Sequence, residues 1–241
     1  MNVIEVENLT FAYRGEKKVL RDVCFSVAAG ELFVIAGLSG CGKSTLCRIL
    51  SGVIPNAIKG ELSGKITVMG IDPRDAGLPQ MALKVGMVFQ DADSQIICTT
   101  VEDELAFGLE NFCLPQQEIR KRVNGLLEEF GCEELRNANP AHLSGGQKKL
   151  LTIAAALAPE PPILILDEPM SGLDEEGVKL VRSLIIEQRR RGRTVIMVEH
   201  DLELAGFADR WLLLHEGAAV VCGAPSDILR DEDLLIELGL R

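Results

Sequence analysis

Residues 37–45, Gly-Leu-Ser-Gly-Cys-Gly-Lys-Ser-Thr, carry the groups that a phosphate chain needs. They fit G-x-x-x-x-G-K-[S/T]. Gly37, Gly40 and Gly42 let the backbone turn and approach an anion with no Cβ in the way. Lys43 can reach the outer phosphates of a nucleotide, and the Ser44 hydroxyl can ligate a divalent cation. A second group is Asp167 and Glu168, which close the apolar run at 163–166. Asp167 would hold the cation, directly or through water. Glu168, one residue on and aimed elsewhere, is the candidate general base that polarises an attacking water. Taken alone, Asp-Glu-Pro also reads as an ordinary acidic turn, because Pro169 stops a strand. A third group is Leu-Ser-Gly-Gly-Gln at 143–147. Ser144 reads as the N-cap of the apolar helix that follows, and a capped start with Gly145 and Gly146 is also an anion site.

Elements must position these groups. Leu32 to Ile35 reads as a buried parallel strand and Thr45 to Leu50 as the helix behind it. The glycine-rich loop therefore wraps a helix N-terminus, where backbone N–H groups lack partners and the dipole is positive. Residues 1–36 alternate in strand fashion with a turn near Arg14–Gly15, and strands follow at 64–68 and 85–89. From Asp91 to about Ala158 the pattern turns helical, with 3.6-residue spacing over 101–112, 116–130 and 146–158. Strands return at 163–166, 194–198, 211–214 and 218–222, and helices are expected at 175–191 and near 225–238. Arg189, Arg190, Arg191 and Arg193 read as solvated cations at a helix C-terminus.

With its motifs in this order, the chain resembles the nucleotide-binding subunit of an ABC transporter over essentially its whole length. The resemblance implies an α/β fold: a P-loop NTPase core with a parallel sheet, an N-terminal antiparallel β subdomain and an inserted α-helical subdomain. It implies one domain over 1–241, with 1–90 and 159–241 as the core and 91–158 as the helical, signature-bearing part. ATP and Mg2+ are the implied ligands. Gly37, Leu38, Ser39, Gly40, Cys41, Gly42, Lys43, Ser44 and Thr45 would cradle the phosphates. Tyr13 stands where the family stacks an aromatic on adenine, although an aromatic there could also simply pack on a sheet. Gln90, in Val-Phe-Gln, matches the glutamine that senses the γ-phosphate and Mg2+, or is a plain polar residue at a strand end. Ser144, Gly145, Gly146 and Gln147 match the signature, which acts in trans on the partner's nucleotide. Ser171 to Asp174 match the D-loop, and Asp174 counts with the nucleotide-binding residues. His200 matches the switch histidine. The catalytic set implied is Lys43, Gln90, Glu168 and His200; the metal set is Ser44, Gln90 and Asp167. Two ATPs would bridge two subunits, and hydrolysis would remove the bridge.

A narrower resemblance is carried by Asp-Ala-Asp-Ser-Gln after Gln90, by Thr-Val-Glu-Asp-Glu-Leu-Ala-Phe-Gly-Leu-Glu-Asn at 100–111 and by Leu-Pro at 114–115. It is similar to the ATPases of energy-coupling-factor transporters and of related cobalt and nickel importers. The partners this implies are a second ATPase subunit, identical or paralogous, and integral membrane coupling and substrate-binding proteins. The chain departs from that pattern at Asp91–Ala92, where Asn-Pro is usual, at Lys148–Lys149–Leu150, where a Lys/Arg-Gln-Arg run is usual, and at Met170, where Thr is usual. A second reading is a soluble relative acting in assembly or scaffolding. Chromosome-type relatives need a long coiled-coil insertion and translation-type relatives two such domains, and neither pattern is seen here.

Bulk properties agree. The chain is 47% hydrophobic but 4% aromatic, so an aliphatic core is expected. Its 25 basic and 36 acidic residues give a net charge of −11, which disfavours nucleic acid and anionic lipid as direct partners. No apolar stretch approaches the roughly 18 residues of a membrane span, and the N-terminus does not read as a signal peptide. The expectation is a protein on the cytoplasmic face of a membrane, held there by protein partners. Seven cysteines with no C-x-x-C pair argue against a disulfide framework or structural zinc. Most are expected as small apolar fillers. Cys41, inside the phosphate loop and near Lys43, is expected to favour its thiolate, so that alkylation blocks nucleotide binding.

Overall fold

A computed structural model describes residues 1–240. The chain opens with β1 (Asn2–Tyr13), β2 (Lys18–Ala28) and β3 (Leu32–Ala36), then α1 (Lys43–Leu50), α2 (Val53–Asn56) and β4 (Gly60–Val68). Next come α3 (Leu78–Ala82), β5 (Val85–Val88), α4 (Val101–Asn111), α5 (Gln116–Glu129) and α6 (Gly145–Leu157). It ends with β6 (Ile163–Asp167), α7 (Glu175–Arg190), β7 (Thr194–Glu199), α8 (Leu202–Ala205), β8 (Arg210–His215), β9 (Ala218–Gly223), α9 (Pro225–Ile228) and α10 (Glu232–Glu237).

Two sheets form. The order β2-β1-β4 is antiparallel, and β5-β6-β7-β3-β8-β9 is parallel except for β9. The central strands β3, β6 and β7 are buried at every position, and apolar except at Asp167, Thr194 and Glu199, because both faces are covered. Alternation then sorts their side chains. Phe33, Ile35, Ile163, Ile165, Ile196 and Val198 face α1 and the antiparallel sheet. Leu32, Val34, Leu164, Leu166, Val195 and Met197 pack with residues of α6, α7 and the C-terminal helices. Trp211 is fully buried on this second face and satisfies its indole N–H on the Ala205 carbonyl at 3.0 Å. A third cluster, with Val101, Leu105, Leu109, Val123, Leu127 and Leu151, holds α4, α5 and α6 together.

Two expectations need correction. The helix anticipated near 225–238 is two short helices, broken at Arg230–Asp231, where Asp231 caps α10 by accepting the Leu234 N–H. The arginines ending α7 are not simply solvated. Arg189 pairs with Asp209 at 2.6 Å and Arg191 with Glu129 at 2.8 Å, while Arg193 donates to the Pro161 carbonyl.

Candidate functional site

Parallel register brings the strand ends into line. Ala36 lies opposite Glu199, and Asp167 opposite Val198. The neighbouring order β5-β6-β7-β3 thus delivers Gln90, Asp167, Glu168, His200 and the loop 37–42 to one carboxyl edge, where open α/β sheets bind ligands.

The loop is fixed from within. Gly37, Gly40 and Gly42 all have positive φ. A Cβ at Gly37 would run into the Leu214 carbonyl oxygen and stand 2.9 Å from Cys41 Sγ; one at Gly42 would meet Leu20 Cδ2 at 2.8 Å. Lys43 is buried, and its ammonium donates to the carbonyls of Gly37 at 2.7 Å and Leu38 at 2.9 Å. An ammonium has three donors, so one is left for a phosphate. Tyr13, Ser39, Gly40, Lys43, Ser44, Thr45, Gln90 and Glu168 line a cleft of about 340 Å3. The Tyr13 hydroxyl lies 3.0 Å from Thr45 Oγ1, and its ring meets Phe11 edge to face.

Of the acidic pair, Glu168 lines this cleft and Asp167 does not. Asp167 is buried, and its Oδ1 has no hydrogen-bond partner among the described residues. Burial pushes its carboxyl up, while the Ser44 hydroxyl favours the ionised form. An orphaned carboxylate oxygen beside a serine hydroxyl is a hard-oxygen donor set that fits Mg2+. Glu168 adopts the left-handed backbone region at φ 48°, and its N–H bonds the Val198 carbonyl at 3.1 Å. That turn aims its carboxylate away from Asp167, at Gln90, whose Nε2 donates to Glu168 Oε2 at 2.7 Å. His200 Nδ1 lies 3.6 Å from Glu168 Oε1.

The signature is elsewhere on the chain and does not line this cleft. Ser144 caps α6 in a reciprocal box: its Oγ accepts the Gln147 N–H at 3.3 Å, and Gln147 Oε1 accepts the Ser144 N–H at 2.9 Å. Gly145 is exposed, and a Cβ there would meet nothing within 4 Å. Asp174 caps α7 by accepting the Gly177 N–H at 2.8 Å, also away from the cleft.

Cys41 overturns an expectation. It is buried, and burial pushes its thiol up, outweighing Lys43 and the loop N–H groups. The thiolate is disfavoured, so alkylation is expected to be slow. Nor are most cysteines fillers: Cys41 and Cys47 are buried, while Cys24, Cys113 and Cys222 are exposed.

Two residues at the site escaped the sequence reading. Glu199, 1% exposed at the end of β7, has its carboxyl pushed up to about 7 by burial and by Glu168 and Asp201, with the N–H groups of Met170 and His200 acting the other way. A carboxylate closing the run Val195–Val198 was the available signal. Lys149, 4% exposed, donates from Nζ to the Gln90 carbonyl at 2.8 Å. Burial lowers its pKa, opposed by Asp167, Asp91, Glu168 and Glu199. Its spacing to Ile153 and Leu157, i+4 and i+8, marks it on the buried face of α6.

A family model described as ABC transporter matches residues 20–171. A protein of Methanosarcina mazei described as an ABC transporter ATP-binding protein is 42% identical over 99% of the chain. The chain spans only 41% of that relative's length. The energy-coupling factor transporter ATP-binding protein EcfA1 of Ligilactobacillus salivarius is 39% identical over 99% of the chain and 84% of its own length. The solved structure of cbiO1 from Clostridium perfringens, described as part of the ABC transporter complex cbiONQ, superposes with a TM-score of 0.84 at 34% identity. The match covers 100% of this chain and 95% of that one.

Proposed function

The chain belongs to the ABC transporter family as one of its ATP-binding, ATP-hydrolysing units, and on that premise we propose that it powers an importer of the energy-coupling-factor type for a vitamin or a transition-metal ion. Its partners would be a second ATPase subunit and membrane-embedded coupling and substrate-binding proteins, at the cytoplasmic face. Residues 91–158 would act as the signature-bearing subdomain, and the segment after Gln90 would pass motion to the membrane. No helix among the described residues is long and apolar enough to cross a membrane, so contact through protein partners suits the chain.

One observation carries the reading. The phosphate cleft is lined from the carboxyl edge of the parallel sheet, α1 and the β1–β2 hairpin, while Ser144 and Gly145 stand exposed and apart from it. A second chain, facing the first, would bring its capped helix start onto a bound γ-phosphate. The loop N–H groups and Lys43 hold the phosphates, and Tyr13 stacks on the base. Ser44, Asp167 and Gln90 would hold Mg2+, which when bound spreads the phosphates' negative charge. Glu168, positioned by Gln90, accepts a proton from water, and His200 holds the γ-phosphate. ATP bridging two chains gives differential affinity for the closed dimer. Moving closure from 1:99 to 99:1 requires about 5.5 kcal/mol, within reach of two charge-assisted interfaces.

Glu168→Gln tests this. Turnover should fall about 10²- to 10⁴-fold. Binding of Mg·ATP should persist, with a closed dimer seen by sedimentation, alone or with the cognate paralogue. Full turnover in the variant would contradict the role of Glu168, and a strictly solitary chain would contradict the closure. Copurification of a membrane protein in mild detergent tests the importer reading.

A further inference from the structure

The two segments that depart from the family pattern after Gln90 and after the signature touch one another. Lys148 and Lys149 stand in the first turns of α6, directly behind the Ser144 cap. Lys148 Nζ pairs with Asp93 Oδ1 at 2.5 Å, and the lysine side chain is only 17% exposed. Lys149 Nζ reaches the Gln90 carbonyl at 2.8 Å. The segment they grip is itself a tight turn: the Asp93 N–H bonds Asp91 Oδ1, and Ser94 Oγ bonds the Asp91 carbonyl. From Gln90 the path continues through its side chain to Glu168.

An unbroken series of bonds thus runs from the helix start at Ser144 to the carboxylate that faces the phosphate cleft. The inner link is a buried ammonium. Separating α6 from Gln90 would leave that buried ammonium without the carbonyl it bonds, a cost that makes joint movement the cheaper path. Lys149 does not line the cleft.

We propose that Lys149 is a positioning residue, with Lys148 and Asp93 as an outer clasp, that makes the Ser144–Gly146 half-site follow the backbone at Gln90. A nucleotide sensed by Gln90 thereby sets the angle at which this chain presents its own signature. The proposal rests on the reading that Gln90 and Glu168 act on ATP.

The test uses the full chain and three measurements: affinity for a fluorescent ATP analogue with Mg2+, ATP turnover, and amide hydrogen exchange over 144–150 with and without Mg·ATP. Lys149→Met, close in size and uncharged, should keep nucleotide affinity within about twofold and lower kcat about tenfold at unchanged KM. It should also abolish the nucleotide-dependent change in exchange over 144–150 while leaving the change over 37–45. Lys149→Arg should restore the response. Lys148→Ala and Asp93→Ala, at a half-buried and an exposed position, should each weaken it about two- to threefold, and together no more than either alone. A Lys149→Met chain that melts lower yet keeps the response and kcat would show a merely structural lysine and overturn the proposal. Additive effects of these two variants would remove the outer clasp. Failure of the unsubstituted chain to bind Mg·ATP would instead bring down the functional reading itself.

Discussion

The phosphate loop and the start of α6 are both glycine-rich turns leading into a helix, yet their glycines answer to different demands. At Gly37 and Gly42 the surrounding protein occupies the space a Cβ would take, and φ is positive. The fold itself requires glycine there. At Gly145 the space is open and φ is not positive, so nothing among the described residues requires glycine. The polar groups differ in the same way. Lys43 is held by its own loop and buried, whereas Ser144 and Gln147 satisfy only each other at the surface. One region is finished by its own chain. The other makes sense as a surface completed by something that comes to it.

The contrast breaks most sharply at Gly37. Gly37→Ala forces a Cβ onto the Leu214 carbonyl, and β8 cannot shift without disturbing its register with β3. A loss of about 4 kcal/mol is expected, the upper range for a single substitution, with a melting point lower by roughly 10 °C. Thermal unfolding monitored by circular dichroism measures this directly. A normal melting curve would mean that the loop is not over-determined.

The phosphate side also stores a cost that pH should expose. The Glu199 carboxyl holds its proton to about 7 in the folded chain against 4.5 in the unfolded one. The folded state therefore binds the extra proton between those values, so stability is fully present below about pH 4.5 and declines as pH rises through 7. Glu199→Gln should flatten that slope and make the nucleotide-free chain more stable at pH 8, by roughly 3 kcal/mol at most. Urea unfolding at pH 5 and pH 8 gives the answer, and parallel slopes in the two proteins would remove Glu199 as the cause.

How far such features were legible depended on the range of the interactions involved. The strands of the parallel sheet announced themselves as short apolar runs and helices α4, α5 and α6 through 3.6-residue spacing, because both signals lie within a contiguous stretch of sequence. The break at Arg230–Asp231 did not, since Ile228, Leu229, Leu234 and Leu235 keep an apolar pattern running across it. Cys41 was misread because its burial is set by the whole layer of core around α1, including Leu214, far along the chain. Lys149 owes its position to Gln90, some sixty residues earlier, whose carbonyl accepts its ammonium. The phosphate loop could be read almost whole because a contiguous run makes it. The link between Gln90, Glu168 and α6 could not, because three separate elements build it.

A smaller effect on the signature side sharpens the comparison. Ser144→Ala removes one half of the capping box and leaves the Gln147 N–H without its acceptor. About 1 kcal/mol of stability should go, a few degrees in melting temperature. Affinity of the isolated chain for nucleotide should stay put, because Ser144 does not line the cleft. A matching fall in that affinity would show that the two regions are not built separately.

The smallest effect on folding, and the most telling, is expected at Gly145. Gly145→Ala adds a methyl group into open space at a helical position. Alanine is favoured over glycine in a helix by up to about 1 kcal/mol, so stability should be unchanged or slightly higher. The same methyl group would stand between the backbone N–H groups of the helix start and any phosphate brought to them from a facing chain. The variant, combined with Glu168→Gln, should therefore melt normally, bind Mg·ATP normally and fail to form the closed dimer in sedimentation. Gly37→Ala should weaken the fold and the loop together; Gly145→Ala should leave the fold intact and remove only what a second chain needs. If the Gly145→Ala chain closes as readily as its parent, the glycine has no external reason either, and the surface at 144–146 is not the half-site assigned to it.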